Sequence, residues 1–203
     1  KNFMKNKVII IAEAGVNHNG DLDLAKKLID AASEAKADYI KFQTFKTENL
    51  VTEIAEKSHY QKLRTNSISA TQFDMLQSLE LSHENHTELI KYCNKKNIKF
   101  LSSGFDLESI DFLESLNMDL FKIPSGEITN FPYLKKISSL NKPVVLSTGM
   151  ASINDIENAL NVLTSNSLTL DKISVLHCNT SYPTPLKDVN LKAMNYISEK
   201  FNV

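Results

Sequence analysis

IKFLSSGFDLESIDFLESLNMDLFKIPSGE (Ile98–Glu127) carries one complete structural repeat. Ile98–Gly104 is short and apolar and ends in Ser102-Ser103-Gly104, which reads as a buried strand. Leu107–Leu116 then sets its apolar residues at helical spacing. Leu120–Glu127 is a second strand-like run, again closed by polar and turn-forming residues, Pro124-Ser125-Gly126-Glu127. Strand, helix and strand in about thirty residues is the βαβ signature of a parallel sheet.

The same plan recurs outward in both directions. VIIIAEAG (Val8–Gly15), YIKFQTF (Tyr39–Phe45), VVLSTG (Val144–Gly149) and ISVLHCNTSYPTP (Ile173–Pro185) are further apolar runs that end in polar residues. Helical patterns fill the gaps: Leu22–Ala35 behind a capping Asp21, Met75–Leu81 behind Thr71 and Asp74, and Ser82–Lys96. Phe131–Ser139, Ser152–Leu163 and Leu191–Lys200 complete them. Polar groups gathered at one end of each strand are the layout of a TIM (β/α)8 barrel, whose chemistry sits at the carboxyl ends of its strands. About six of the eight βα units are present, and a seventh strand is expected where the chain stops at Phe201-Asn202-Val203. The competing architecture is an open doubly wound sheet. That fold calls for a Gly-rich phosphate turn after its first strand, and AEAGVNHNGD does not match the fingerprint.

Composition excludes several classes. The chain has 203 residues, 42% apolar content and a net charge of −1. One substantial core is expected, without the basic footprint of a nucleic-acid binder. No apolar run is long enough to span a membrane. Lysines precede the first apolar stretch, but Glu13 and Asn17 interrupt it, so no signal peptide is expected. Cys93 and Cys178 fall in different elements and give no disulfide framework, which fits a cytoplasmic location.

Lys41 and Gln43 lie two apart on a strand and therefore share a face. Lys122 repeats the arrangement in the fourth strand. Two strand-embedded ammonium groups near paired hydroxyls (Ser102-Ser103, Ser147-Thr148, Thr180-Ser181, and Ser125) are what an anion such as phosphate needs, and Gly104, Gly126 and Gly149 let the backbone approach it. Glu13, among apolar residues of the first strand, either pairs with a lysine or handles a proton or water. Glu127 is a second candidate carboxylate.

The histidines promise less. His18 in the Asn17–Gly20 turn reads as solvated, and His83 and His86 read as a solvated helix face. His59 sits in a long polar connection, Lys46–Ala70, that reads as a substrate loop. His177-Cys178 reads as strand-internal packing. No metal cluster is expected within the chain.

AEAGVNHNGDLDLAKKLI, YIKFQTFKTENLV, LSSGFD, FKIPSGEITNFPYL, VVLSTGMASI and LHCNTSYPTP, in this order and spacing, closely resemble the sialic acid synthase family of N-acetylneuraminate, legionaminate and pseudaminate synthases. The resemblance runs from about Val8 to Val203 and covers an incomplete catalytic barrel. It implies condensation of phosphoenolpyruvate with an N-acetylmannosamine-type sugar and water, releasing phosphate. Phosphoenolpyruvate would be held by Lys41, Ser103, Lys122, Ser125, Ser147 and Thr180, with Glu13 catalytic and Glu127 and Tyr182 facing the sugar. The region around Asn66 would also touch sugar. The family often has Thr-Pro in place of Ser103-Gly104, and some members have Asn in place of Thr180. The resemblance further implies a divalent metal, Mn2+ or Mg2+, with ligands beyond residue 203. It also implies a homodimer, and a C-terminal antifreeze-like domain that supplies an arginine to the partner's site. On that reading the 203 residues alone would lack activity.

Three alternatives compete. One is a phosphoenolpyruvate synthase for a phosphorylated aldose, which would need a second cationic pocket where the chain offers the single arginine Arg64. Another is a Schiff-base aldolase using Lys41 or Lys122. The third is a barrel fragment that binds ligand without turnover.

Overall fold

A computed structural model describes residues 8–55 and 71–203. The chain forms two compact units, Ile9–Ser109 and a second built on Ile110–Val203.

The first unit contains β1 (Ile11–Gly15), α1 (Leu22–Glu34), β2 (Tyr39–Thr44), the single turn α2 (Thr47–Leu50), α3 (Gln72–Gln77), α4 (His83–Lys95) and β3 (Lys99–Gly104). Its strands form a parallel sheet in the order β1-β2-β3. Glu13 stands opposite Lys41, and Gln43 opposite Ser103. Local chemistry explains each helix start. Asp21 is extended, and its carboxylate accepts from the amides of Asp23 and Leu24 at 2.8 and 3.0 Å. Thr71 and Asp74 form a reciprocal capping box, and the Ser82 hydroxyl accepts from the Asn85 amide at 3.2 Å. Each such cap satisfies amides that would otherwise lack partners. Ala25, Ile29 and Ala32 of α1 and His86, Leu89 and Cys93 of α4 are buried. Phe42 and Phe100 stack in the core with centroids 5.5 Å apart.

α5 (Leu107–Ser115) carries the division between the units. The second unit continues with β4 (Phe121–Ile123), a 3-10 turn at Ser125–Glu127, α6 (Phe131–Ser139), β5 (Val144–Ser147), α7 (Ile153–Leu163), β6 (Ile173–Leu176) and α8 (Lys192–Phe201). Its sheet is again parallel, in the order β4-β5-β6. Asn130 and Ser152 cap α6 and α7, and Ser152 forms the capping box with Asp155. Lys36, Asn97, Asn117, Asn141 and Asn202 each follow a helix end with φ between 50 and 58°. Asn tolerates this left-handed backbone better than most residues and so ends helix after helix where glycine is scarce.

Three sequence expectations change. β1 begins at Ile11 rather than Val8. The long connection opens with helix α2, while its central part, with His59, Arg64 and Asn66, lies outside the described residues. β6 ends at Leu176, so His177 and Cys178 follow the strand and are half-buried rather than packed inside it. Cys93 is wholly buried, and desolvation pushes its thiol up to about 12; both cysteines are free.

Candidate active site

In the first unit, Lys41 is buried on β2 and its Nζ lies 2.7 Å from Glu13 Oε2. Parallel register alone sets the pair, because the two residues are direct neighbours across β1 and β2. The lysine side chain is 11% exposed and the glutamate side chain 52%. The pair therefore has one dry end and one wet end. Both of the roles left open for Glu13 start from this geometry: it is paired, and it also reaches solvent. Gly15 follows with φ 54°; a Cβ there would lie 3.2 Å from Glu13 Oε1 and 3.7 Å from Gln43 Nε2. A side chain at Gly15 would thus crowd both polar ends. Ser103, opposite Gln43, is 1% exposed, and its hydroxyl has no hydrogen-bond partner among the described residues. A buried unpaired hydroxyl costs about 1–3 kcal/mol, so a polar ligand accepting from Ser103 would recover that loss.

In the second unit, Ser125 Oγ accepts from the Gly149 amide at 2.9 Å, tying the turn after β4 to the end of β5. The contact is so close that a Cβ on Gly149 would meet Ser125 Oγ at 2.8 Å and Thr180 Cγ2 at 2.9 Å. Ser125, Gly149 and Thr180 are therefore brought together. Ser147 is buried, with the Cys178 thiol 3.3 Å from its hydroxyl, and Thr148 donates to Leu176 O at 2.7 Å. Lys122 is half-buried, and its Nζ donates to Ile123 O at 2.9 Å. Glu127 accepts from Asn130 Nδ2 at 2.7 Å and so joins the cap of α6. Thr180 is exposed, its amide held by Asn179 Oδ1 at 2.8 Å. Tyr182 is 80% exposed and precedes a cis proline, Pro183.

Two histidine expectations are overturned. His18 is fully buried, with Nδ1 accepting from the Gly20 amide at 3.0 Å and its ring 6.0 Å from that of Phe42. The turn folds its imidazole inward, and desolvation lowers its pKa. His83 is exposed as expected, but His86 is completely buried. Its Nδ1 lies 2.8 Å from Ser82 O and its Nε2 2.7 Å from Thr44 Oγ1, which in turn is 2.7 Å from Ser102 Oγ. Burial pushes the His86 imidazole down to about 4. The available signal was spacing: His86, Leu89 and Cys93 form the inward stripe of α4.

Among the described residues, no three His, Cys, Asp or Glu side chains gather as a metal would require. No described helix is long and apolar enough to cross a membrane.

The sequence profile of the NeuB family matches residues 28–203. The chain is 54% identical over 197 residues to N,N'-diacetyllegionaminic acid synthase of Campylobacter jejuni, covering 97% of this chain and 59% of that protein. It is 49% identical to the protein of the same name from Legionella pneumophila, covering 96% and 55%. It superposes on the N-acetylneuraminic acid synthetase of Leptospira borgpetersenii, crystallised with citrate, with a TM-score of 0.80 and 31% identity over 97% of this chain and 62% of that one. The chain thus spans a little over half the length of the curated relatives it matches. The fold class is α/β, with six βα units of a TIM barrel.

Proposed function

We propose, on the premise that this chain belongs to the NeuB family, that it is the catalytic part of a synthase joining phosphoenolpyruvate to an N-acylated mannosamine-type sugar. The observation that carries this reading is the Lys41–Glu13 pair: a buried ammonium whose carboxylate partner is half in water. An anionic substrate can take over part of the contact to Lys41 while Glu13 turns to the reacting atoms.

Phosphoenolpyruvate is an enol held as its phosphate ester, so its methylene carbon is nucleophilic. That carbon bonds to the aldehyde carbon of the open-chain sugar, and the aldehyde oxygen takes a proton to become a hydroxyl. The electron-poor carbon left behind, which bears the phosphate and carboxylate, accepts water. Water loses one proton, which we assign to Glu13. The tetrahedral adduct then expels inorganic phosphate by C–O cleavage, its hydroxyl proton leaving with the phosphate to give a 2-keto acid, and the proton lost by water balances the one taken by the aldehyde oxygen. As the resemblance implies, Lys41, Ser103, Lys122, Ser125, Ser147 and Thr180 are assigned to the phosphate and carboxylate. Glu127 and Tyr182 are assigned to the sugar. Holding both reactants in register is worth several kcal/mol of the barrel's catalytic effect.

We assign a divalent ion, Mn2+ or Mg2+, to the whole protein, with its ligands beyond residue 203. We further assign the protein to the cytoplasm, as a homodimer carrying a C-terminal antifreeze-like domain. Both Campylobacter and Legionella relatives are named for a sugar acid with two N-acetyl groups. The first acceptor to test is accordingly a mannosamine-type sugar carrying two acetamido groups.

The test is phosphate release from phosphoenolpyruvate by the whole protein against a panel of acceptors. Release that requires an unphosphorylated N-acyl sugar supports the reading. Release with a phosphorylated aldose, or inactivation by borohydride with substrate present, would transfer the protein to one of the competing classes.

A further inference from the structure

α4 starts beside the end of β2, and its first buried side chain is His86. The ring folds back on its own helix start: Nδ1 is 2.8 Å from Ser82 O, which also accepts the His86 amide at 3.1 Å. A carbonyl oxygen only accepts, so in the neutral ring the proton sits on Nδ1 and Nε2 is a bare lone pair. Thr44 Oγ1, at 2.7 Å, must then donate to Nε2, and Ser102 Oγ, at 2.7 Å from Thr44, must donate to Thr44. The whole chain acquires one direction, Ser102 to Thr44 to His86 to Ser82. Every member side chain except that of Ser82 is at least 94% buried.

This chain clamps the strand ends that carry half of the candidate site. Thr44 is the last residue of β2, and it crosses to Ser102 of β3 rather than to its register partner Gly104. Side chains alternate along a strand, so Lys41 and Gln43 face opposite to Thr44, and Ser103 opposite to Ser102. The polar contacts on one face therefore fix the backbone from which Lys41, Gln43 and Ser103 project on the other. The aromatic rings of Phe42 and Phe100 pack against His18 and His86 in the same layer.

We propose that His86 is a positioning residue for phosphoenolpyruvate: through Thr44 and Ser102 it holds the carboxyl ends of β2 and β3 in the register that aims Lys41 and Ser103 at the substrate. The proposal rests on the phosphoenolpyruvate reading given above.

The test compares Thr44→Val, Thr44→Ser, His86→Asn and Ser102→Ala in the whole protein, measuring KM for phosphoenolpyruvate, kcat and Tm. Thr44→Val keeps the shape but removes the central donor and acceptor. KM for phosphoenolpyruvate should rise about fivefold or more, with kcat within about twofold, the pattern of losing binding that ground state and transition state share equally. Thr44→Ser should restore wild-type KM. His86→Asn retains a donor for Ser82 O but cannot reach Thr44, so it should match Thr44→Val. Ser102→Ala supplies the answer if Thr44→Val does not fold, and should raise KM in the same way. Variants with lowered Tm but unchanged KM would show a merely structural cluster and overturn the proposal. A wild type that binds no phosphoenolpyruvate in a calorimetric titration would instead overturn the functional reading, and the positioning role with it.

Discussion

Lys41 Nζ stands 2.7 Å from Glu13 Oε2, and the two residues face each other directly across β2 and β1. Because the glutamate is about half exposed while the lysine is nearly dry, solvent screens the pair unequally. Its stabilising effect is accordingly well short of a fully interior ion pair, and closer to the modest range of wet pairs. A half-solvated carboxylate beside a buried ammonium is an arrangement suited to exchange: substrate anion for glutamate.

Glu13→Gln should leave phosphoenolpyruvate affinity within about threefold of wild type, since Gln keeps the shape and a hydrogen-bonding oxygen beside Lys41. Turnover should fall by about two orders of magnitude, because the amide cannot accept the proton lost by water. Separate calorimetric and steady-state measurements check the two halves. A variant with normal kcat and poor binding would make Glu13 a structural or sugar-binding residue.

Lys41→Ala and Lys122→Ala should each weaken phosphoenolpyruvate binding while leaving a folded protein. Loss of one charge-assisted contact corresponds to about 1.5–3 kcal/mol, or roughly ten- to a hundredfold in affinity. Titration calorimetry with circular dichroism as a fold control decides it. Unchanged affinity in both would remove the lysines from the phosphate site.

What could be read from the sequence was local. Asp21, Thr71 and Ser152 announced their helices because a cap needs only residues two or three positions on. The alternation Lys41, Gln43 against Phe42, Thr44 was equally plain, since a strand has period two. The Glu13–Lys41 contact was legible only as one of two options, because it depends on which strands pair and in what register. His18 and His86 were misread because a turn or helix histidine looks polar until its neighbours close over it. Their burial is set by Phe42, Phe100 and Thr44, which arrive from distant parts of the chain.

Gly149→Ala and Gly126→Ala should differ sharply. A Cβ at Gly149 would stand 2.8 Å from Ser125 Oγ and 3.0 Å from Ser125 Cβ, so the turn after β4 must move. Overpacking of this kind costs about 1–3 kcal/mol, and it displaces a proposed phosphate ligand. Gly126 has nothing within 4 Å of such a Cβ. Its alanine variant should stay within about 0.5 kcal/mol of wild type in stability. Urea denaturation and phosphoenolpyruvate titration of both variants check this. Equal behaviour would mean that Ser125 and Gly149 are not locked together.

The protein should lose stability in mild acid through His86. Desolvation is the main cause of its depressed pKa, partly opposed by the Ser82 carbonyl and assisted by the charges of His83, His18 and Lys46. The folded imidazole titrates near 4, against 6.5 in the unfolded chain. Between those values the unfolded state binds more protons, so stability rises with pH across this window. The contribution is complete above about pH 6.5, shrinks as pH falls, and is gone by about pH 4. Going from pH 7.5 to pH 5 should cost about 2 kcal/mol from this residue. His18, whose pKa is also lowered by burial, acts in the same direction. Urea unfolding at several pH values should show the slope in the wild type and a shallower one in His86→Asn, which has nothing to titrate. Equal slopes in the two proteins would mean that the buried imidazole is not the acid-sensitive group.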